Sequence, residues 1–220
     1  RRRDRGPRLT PGATNMTPLL RAIMVTASVA LLAAPSCRPA PRKPFNPEGL
    51  TAPKVSPPIP KPDFVLATTD GAPFDFRRET EGYVTLLFFG YTNCPDICPV
   101  HLANIAVALK KLGPEVNNAV KVVFVTNDPA RDTPTVLRTY LDRFDQRFIG
   151  LTGDSLAITN AMRQLNLSPI VREEGTQPGG YTIGHSAIVL AFTRDNFAHV
   201  VYPFGIRQDD WARDLVLLTR

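Results

Sequence analysis

Histidine and cysteine, which often bind transition metals, are scarce in this sequence. The 220 residues include three of each, so a site built from nitrogen and sulfur ligands has few candidates. Long apolar runs are also lacking, because the clearest uncharged apolar run covers only 13 residues, 22–34. A helix that spans a membrane needs about 20 residues, so this run is too short to cross a bilayer comfortably.

A basic face of the kind that binds nucleic acid is missing as well. The net charge is +6, but residues 1–36 hold six arginines and one aspartate, which account for +5 of it. The remaining residues carry +1, with acidic and basic residues interspersed. This distribution argues against a nucleic-acid partner and assigns the positive charge to a leader segment that stays on the cytoplasmic side of a membrane.

The leader has the features of an export signal. Its apolar run, 22–34, has the length of a signal-peptide core and ends in the small residues before Cys37. Cys37 is similar to the cysteine that accepts a lipid in bacterial lipoproteins. We therefore expect residues 1–37 to be an export signal with cleavage before Cys37, although an uncleaved anchor and plain secretion remain alternatives. The following domain is then expected to be membrane-anchored on the extracytoplasmic side, in a bacterial periplasm or at the cell-envelope exterior.

A proline-rich segment follows the leader. Residues 38–62 contain nine prolines, at positions 39, 41, 44, 47, 53, 57, 58, 60 and 62. Such a segment favours extended polyproline geometry, so we predict a linker that forms neither helix nor sheet. The folded domain is predicted over residues 63–220, enough for one ordinary hydrophobic core.

Strand and helix patterns alternate along this domain, which predicts an α/β fold with a central mixed sheet flanked by helices. The strands are predicted at 63–66 and 73–76 (an N-terminal pair), 83–89, 120–125, 148–151, 187–192 and 198–202. The helices are predicted at 99–112, 134–144, 155–165 and 209–218. The polar loop at 172–180 is a candidate for a short hairpin arm.

Two of the three cysteines, Cys94 and Cys98, lie in the segment GYTNCPDICP between a buried strand and a helix. Proline is tolerated in a helix only in its first turn, so Pro99 places Cys98 at or just before the helix start. The helix macrodipole favours a thiolate there, the form that binds metal or attacks disulfides. A structural disulfide is a weaker alternative, because so short a loop gains little closure entropy. The pair is therefore predicted to form a reversible disulfide, to bind metal, or to do both at different times.

The three histidines are unequal candidates for a third metal ligand. His101 lies one turn after Cys98, which makes it a candidate by proximity alone. His185 directly precedes the strand predicted at 187–192 and can face a loop on a neighbouring strand. His199 alternates with valines and is predicted to face solvent.

A second polar cluster, TNDPARDTP, follows the strand predicted at 120–125. Asp128 should emerge at the same sheet edge as Cys94. It is a candidate to orient a site group or to act as a weak oxygen ligand, and an Asx turn is the alternative. Asp132 or Thr133 is predicted to cap a helix that Pro134 begins.

These segments together resemble the three sequence blocks of the Sco/SenC proteins. The blocks are GYTNCPDICP, DPARDTP and the dipeptide His185-Ser186, and FIGLTG at 148–153 adds to the similarity. The resemblance covers roughly residues 60–220. It implies a membrane-tethered, thioredoxin-like copper protein that assists assembly of the CuA centre of cytochrome c oxidase.

In this family two cysteines and a histidine bind copper, which carries over to Cys94, Cys98 and His185. Thiolates select soft Cu(I), and two sulfurs with one imidazole satisfy it, whereas structural zinc normally takes four ligands. One departure is Gly184, where an acidic residue is common in the family. The implied partners are cytochrome c oxidase subunit II, a copper donor, a thiol reductant and, through the N-terminal anchor, the membrane.

Three functions fit these residues. The first is a copper metallochaperone that carries one ion. The second is a thiol–disulfide oxidoreductase that reduces the cysteines of the CuA site, and the third is a redox or copper sensor. His185 discriminates between the first two, because a metal carrier needs it and disulfide exchange requires only the cysteines.

Overall fold

The computed structural model describes residues 45–174, 180–184 and 186–220. The predicted export signal, Cys37 and His185 lie outside the described residues, so these remain predictions. None of the described helices has both the length and the apolar character needed to cross a bilayer.

Ten strands and six helices make up the described part of the chain. The strands are β1 (Lys54–Pro60), β2 (Val65–Thr68), β3 (Pro73–Asp75), β4 (Val84–Gly90), β5 (Val120–Thr126), β6 (Ile149–Thr152), β7 (Val171–Glu174), β8 (Tyr181–Gly184), β9 (Ile188–Phe192) and β10 (Phe197–Pro203). The helices are α1 (Phe76–Glu79), α2 (Ile97–Lys111), α3 (Pro114–Ala119), α4 (Pro134–Asp142), α5 (Ser155–Gln164) and α6 (Gln208–Leu218).

Eight of these strands form one mixed sheet in the order β1-β10-β9-β4-β5-β6-β2-β3. The neighbours β4, β5 and β6 run parallel, and the other pairs are antiparallel. β4 lies in the middle and is buried at every position, as its short run of apolar and β-branched residues predicts. The predicted α/β class with a central mixed sheet is confirmed.

Helices cover both faces of the sheet. Apolar residues of α2, α4 and α6 pack in one core cluster with alternate residues of β4 and β5. Residues of α1 and α5 pack in a second cluster with the intervening residues of the same strands. Because successive strand residues point to opposite faces, Phe88 belongs to the first cluster and Phe89 to the second. The candidate site residues lie in the loops that follow β4 and β5, between the two helix layers.

The prediction that residues 38–62 form only a linker is wrong for β1. This strand pairs antiparallel with β10 at one edge of the sheet. An edge strand tolerates proline, because its outward-facing backbone groups have no neighbouring strand to bond to. A missing N–H on that side therefore breaks no hydrogen bond of the sheet. The segment before β1 also belongs to the domain, since the buried Asp214 carboxylate accepts hydrogen bonds from the backbone N–H groups of Thr51 (2.9 and 3.0 Å) and Ala52 (3.0 Å). The domain therefore begins well before residue 63.

The remaining elements agree with the sequence patterns to within a few residues. The N-terminal pair forms as β2 and β3, and β7 and β8 pair antiparallel, as the predicted hairpin arm requires. The short helices α1 and α3 carry no clear periodicity and were not predicted. The cap of α4 is Thr133, whose side chain accepts from the N–H of Val136 at 3.4 Å.

Candidate metal centre

The loop from the end of β4 to the start of α2 brings the two cysteines together. Cys98 is the second residue of α2 and is fully buried, while Cys94 is 9% exposed. Neither is in a disulfide, and the backbone N–H of Cys98 lies 3.4 Å from Cys94 Sγ, to which it donates. The N–H of Cys94 donates in turn to Tyr91 O at 3.2 Å, which fixes the turn. The structure therefore places two sulfur donors next to each other, as predicted.

The surroundings of the Cys98 thiol favour its protonated form. The hydrogen bond to Cys94 raises the pKa of the Cys98 thiol above its usual range, and burial raises it further. These two influences oppose the effect of the helix macrodipole, which by itself would favour a thiolate at Cys98.

Gly90 makes the close packing of Cys98 against the sheet feasible. A Cβ at this position would lie 2.6 Å from Cys98 Sγ and 2.8 Å from Cε2 of Phe124. Real Cβ atoms do not approach other atoms so closely, so any larger residue would displace the thiol or the ring.

Asp132 ties the thiol loop to the end of the neighbouring strand, a role that the sequence did not predict. Its carboxylate is fully buried and accepts from the N–H of Thr92 (2.9 Å) and from the hydroxyls of Thr92 (2.6 Å) and Thr126 (2.6 Å). Thr92 precedes Cys94 by two residues, and Thr126 ends β5. The sequence predicted that Asp132 or Thr133 caps α4, and the structure confirms this with Thr133 as the cap. Because Asp132 lies next to the start of α4, its position in the sequence indicated a capping role.

Asp128 is buried beside the same loop, at the sheet edge where it was predicted. Its carboxylate accepts from the Tyr181 hydroxyl at 2.8 Å and forms an ion pair with Arg131 Nε. Arg131 also donates to Tyr181 O at 3.0 Å and stacks on the Tyr181 ring, 3.5 Å from its centroid. The carboxylate thus orients other groups, which is one of the three roles that the sequence left open, beside a weak oxygen ligand and an Asx turn.

These contacts fasten β8 beside the cysteines. Tyr181 begins β8, and at its other end the N–H of Ile183 donates to the Tyr91 hydroxyl at 3.3 Å. A cleft of about 270 Å³ lies between the two segments and is lined by Tyr91, Cys94, Pro95, Asp96, Ile97 and residues 182–184. The chain leaves β8 at Gly184, one residue before His185. Arg131, Tyr91 and Tyr181 were not singled out from the sequence, although Tyr91 lies inside the quoted motif GYTNCPDICP and Arg131 inside DPARDTP.

The other two histidines, His101 and His199, make contacts within the folded domain. His101 is buried, and its Nε2 lies 3.3 Å from Ala187 O, with its ring edge-on to Phe88 at 5.2 Å. The prediction that His199 faces solvent is wrong, because its side chain is only 12% exposed and its Nε2 lies 2.7 Å from Asp195 Oδ2.

Among residues 45–174, 180–184 and 186–220, no three His, Cys, Asp or Glu side chains are grouped as a metal site. Among the described residues, the candidate metal ligands are therefore the two cysteine sulfurs, which suit a soft metal ion. Where His185 lies relative to them is not part of the described structure, so its role as the nitrogen ligand stays a prediction.

Comparison with known proteins identifies a family model and several relatives. The SCO1/SenC family model matches residues 54–219. A putative copper-binding protein of Stutzerimonas stutzeri is 38% identical over 125 residues, which are 57% of this chain and 60% of that protein. The mitochondrial protein SCO1 of Saccharomyces cerevisiae is 35% identical over 130 residues, 59% of this chain and 43% of that protein. The chain thus matches less than two thirds of the length of either relative.

Solved structures agree with the family match. Copper-bound ScoI of Bradyrhizobium japonicum is 30% identical, with a TM-score of 0.64 over 72% of this chain and 98% of that chain. Apo Sco1 of Thermus thermophilus is also 30% identical, with a TM-score of 0.64 over 77% of this chain and 94% of that chain. The predicted thioredoxin-like fold agrees with these neighbours. With a family model that extends from β1 through α6, the chain belongs to the SCO1/SenC family.

Proposed function

We propose that this protein is a copper metallochaperone that assists assembly of the CuA centre of cytochrome c oxidase. The observation that carries the proposal is the reduced pair of Cys94 and Cys98, held at the start of α2 beside the strand that leads to His185. The names of its relatives, one a putative copper-binding protein and another a copper-bound ScoI, support copper as the cargo.

The two cysteines supply thiolates to Cu(I), and His185 supplies an imidazole nitrogen. Binding requires both thiols to lose their protons, so uptake releases protons and is weakened at low pH. The metal's positive charge overcomes the tendency of the buried Cys98 to stay protonated. Asp132 holds the loop that carries Cys94, and the contacts of Asp128 hold β8. Both carboxylates therefore act by positioning and not as ligands.

Release of the cargo takes place at the cleft beside Cys94. This sulfur is the more exposed of the pair, so cysteines of a partner, here oxidase subunit II, reach the metal from that side. A copper donor loads the site, and a thiol reductant keeps the pair reduced. Export through residues 1–37 and a lipid on Cys37 would hold the domain at the extracytoplasmic surface where the oxidase is assembled. Mass spectrometry of the membrane fraction should find a lipid-modified N-terminal Cys37, and a retained leader would contradict that anchor.

A second candidate is a thiol–disulfide oxidoreductase, favoured by the unequal burial of the two sulfurs. Cys94 as thiolate would attack a disulfide of the CuA site and form a mixed disulfide with one sulfur while the other leaves as a thiolate. Cys98 would then displace the second sulfur, which leaves the partner reduced and this chain oxidised. The thiol reductant would return two electrons and two protons to restore the pair.

Oxidase assembly in cells that carry only His185→Ala distinguishes the two functions. At low copper the carrier should lose most oxidase activity, because its nitrogen ligand is gone, whereas the matched variant His101→Ala should keep it wherever it folds. Normal CuA assembly with His185→Ala would overturn the carrier proposal and support the reductase, since thiol exchange requires no imidazole.

A further inference from the structure

The cleft beside Cys94 carries a negative charge that no neighbouring cation balances. Asp96 is the only charged residue among those that line the cleft. It is the N-cap residue of α2, yet its carboxylate caps no backbone N–H and forms no hydrogen bond or ion pair with another described residue. The side chain is exposed, so its charge acts on any group that enters the cleft.

A second carboxylate lies at the rim of the same cleft. Glu173 of β7 lies opposite Thr182 of β8, which lines the cleft. A Cβ at Gly184, another lining residue, would lie 4.0 Å from Glu173 Oε1. Glu173 is exposed and forms no ion pair within the part of the chain that the structure describes. The two walls of the cleft, the start of α2 and the hairpin of β7 and β8, thus each contribute one unpaired carboxylate.

The cations near the hairpin do not cancel this charge. Arg131 forms an ion pair with Asp128, and Arg172 forms one with Glu174 at 2.8 Å. Both guanidinium groups also stack on the Tyr181 ring, at 3.5 and 3.9 Å from its centroid. Each of these arginines is therefore already neutralised by its own carboxylate, and the charge left at the cleft is negative.

A partner thiol that approaches Cys94 must pass these carboxylates. Cys94 lines the cleft and is the more exposed of the two sulfurs, so it is the sulfur that a partner reaches first. Complementary charge raises the rate of such encounters, and like charge suppresses the wrong partners.

We propose that Asp96, assisted by Glu173, makes this cleft selective for partner thiols that lie next to a positive charge, such as cysteines flanked by lysine or arginine. The inference rests on the proposed function, in which partner thiols meet Cys94 at this cleft, and it adds the chemistry by which they are recognised. Asp96 acts here on the approaching partner and not as a metal ligand.

Reduction of a Cys94–Cys98 disulfide by small thiols of different charge tests the proposal. A thiolate attacks Cys94 Sγ and forms a mixed disulfide, while Cys98 leaves as a thiolate and takes up a proton from water. A second thiolate then attacks the small-thiol sulfur of that mixed disulfide, which releases Cys94 in reduced form and joins the two small thiols in a disulfide.

The probes are cysteamine, which is positively charged, neutral β-mercaptoethanol and negatively charged β-mercaptopropionate. Rates are measured on the full oxidised chain by rapid alkylation of the released cysteines and mass spectrometry. Each rate is corrected for the thiolate fraction and the intrinsic nucleophilicity of the probe, because both depend on the pKa of its thiol.

The wild-type chain should react faster with cysteamine than with β-mercaptopropionate. The ratio of these two rates is the readout, because removal of a carboxylate speeds the attack of every thiolate. Asp96→Asn should lower this ratio by about 2- to 5-fold, the scale of one exposed charge pair, and Glu173→Gln should lower it less. Salt at about 1 M, where the screening length is about 3 Å, should also lower the wild-type ratio.

Glu115→Gln is the matched control. Glu115 is an exposed carboxylate of α3, which precedes the start of β5, whereas Cys94 lies beyond the other end of the parallel strand β4. This variant should keep the wild-type ratio. Equal rates for the three probes, or a ratio that Asp96→Asn leaves unchanged, would overturn the inference and leave the proposed function standing. Failure of the reduced chain to bind Cu(I) would instead overturn the proposed function.

Discussion

Asp132 shows how one buried side chain couples two elements of the site. It accepts three hydrogen bonds, from Thr92 in the thiol loop and from Thr126 at the end of β5. The sequence places Asp132 beside a helix start, where capping is the commonest role of aspartate. Its actual contacts involve a residue 40 positions away, and local spacing carries no information about such a partner.

Replacement of Asp132 by alanine should damage both stability and metal binding. Three donors would lose their acceptor, and a buried unsatisfied group costs about 1–3 kcal/mol. We expect the free energy of unfolding to fall by about 3 kcal/mol or more, measured by denaturant titration. Cu(I) affinity should also fall, because the loop before Cys94 is no longer held.

Asp154→Ala is the control for this variant. Asp154 caps α5 by accepting from the N–H of Ala157 at 2.7 Å, and it contacts neither cysteine. Its loss should cost about 1 kcal/mol without weakening Cu(I) binding. If Asp132→Ala bound Cu(I) as tightly as Asp154→Ala, Asp132 would have no positioning role.

At the scale of elements, the strands and longer helices were predictable because their patterns repeat over many residues. β4 reads as a buried strand, and Pro99 limits where α2 can begin. The hairpin of β7 and β8 was placed correctly as a polar arm. Its attachment to the thiol loop was not predictable, because it depends on Arg131 and Tyr181 meeting across 50 residues of sequence.

The attachment of β8 to the thiol loop should matter most for the copper oxidation state whose binding depends on an imidazole ligand. Arg131→Ala removes the ion pair with Asp128, the hydrogen bond to Tyr181 O and the stacking on the Tyr181 ring. Because Cu(II) gains more from nitrogen ligands than Cu(I) does, we expect Cu(II) affinity to fall more than Cu(I) affinity. Parallel titrations with the two ions measure this difference.

Arg172→Ala provides a close comparison. Arg172 stacks on the same ring at 3.9 Å but is exposed and pairs with Glu174 at 2.8 Å within β7. It should change the affinity for either ion little. Equal losses of Cu(I) and Cu(II) affinity in Arg131→Ala would contradict a specific link between β8 and His185.

At the scale of the whole molecule, the proline-rich composition misled the placement of the domain boundary. Proline content predicts extended backbone correctly but does not tell whether an extended segment stays free or joins a sheet edge. The contacts that decide whether the segment joins the domain link residues far apart in the sequence. Asp214 on α6 binds Thr51 and Ala52, and Asp195 accepts from the N–H of Phe45 at 3.3 Å.

A truncated chain tests the corrected boundary. A fragment of residues 63–220 would lose β1, expose the edge of β10 and leave the buried Asp214 without its backbone donors. We expect it to be less stable than the fragment 45–220 by about 3 kcal/mol or more, with a melting temperature lower by roughly 6–12 °C. Equal melting temperatures for the two fragments would restore residue 63 as the start of the domain.

The central claim is that the reduced cysteine pair holds copper, and anaerobic titration with Cu(I) tests it most directly. Fully reduced protein should bind one Cu(I) tightly, while protein carrying a Cys94–Cys98 disulfide should bind none at the same concentrations. The variants Cys94→Ala and Cys98→Ala should each be severely weakened, because a single thiolate cannot replace the pair. Equal uptake by the reduced and oxidised forms, or by wild type and these variants, would place the metal elsewhere and contradict the account.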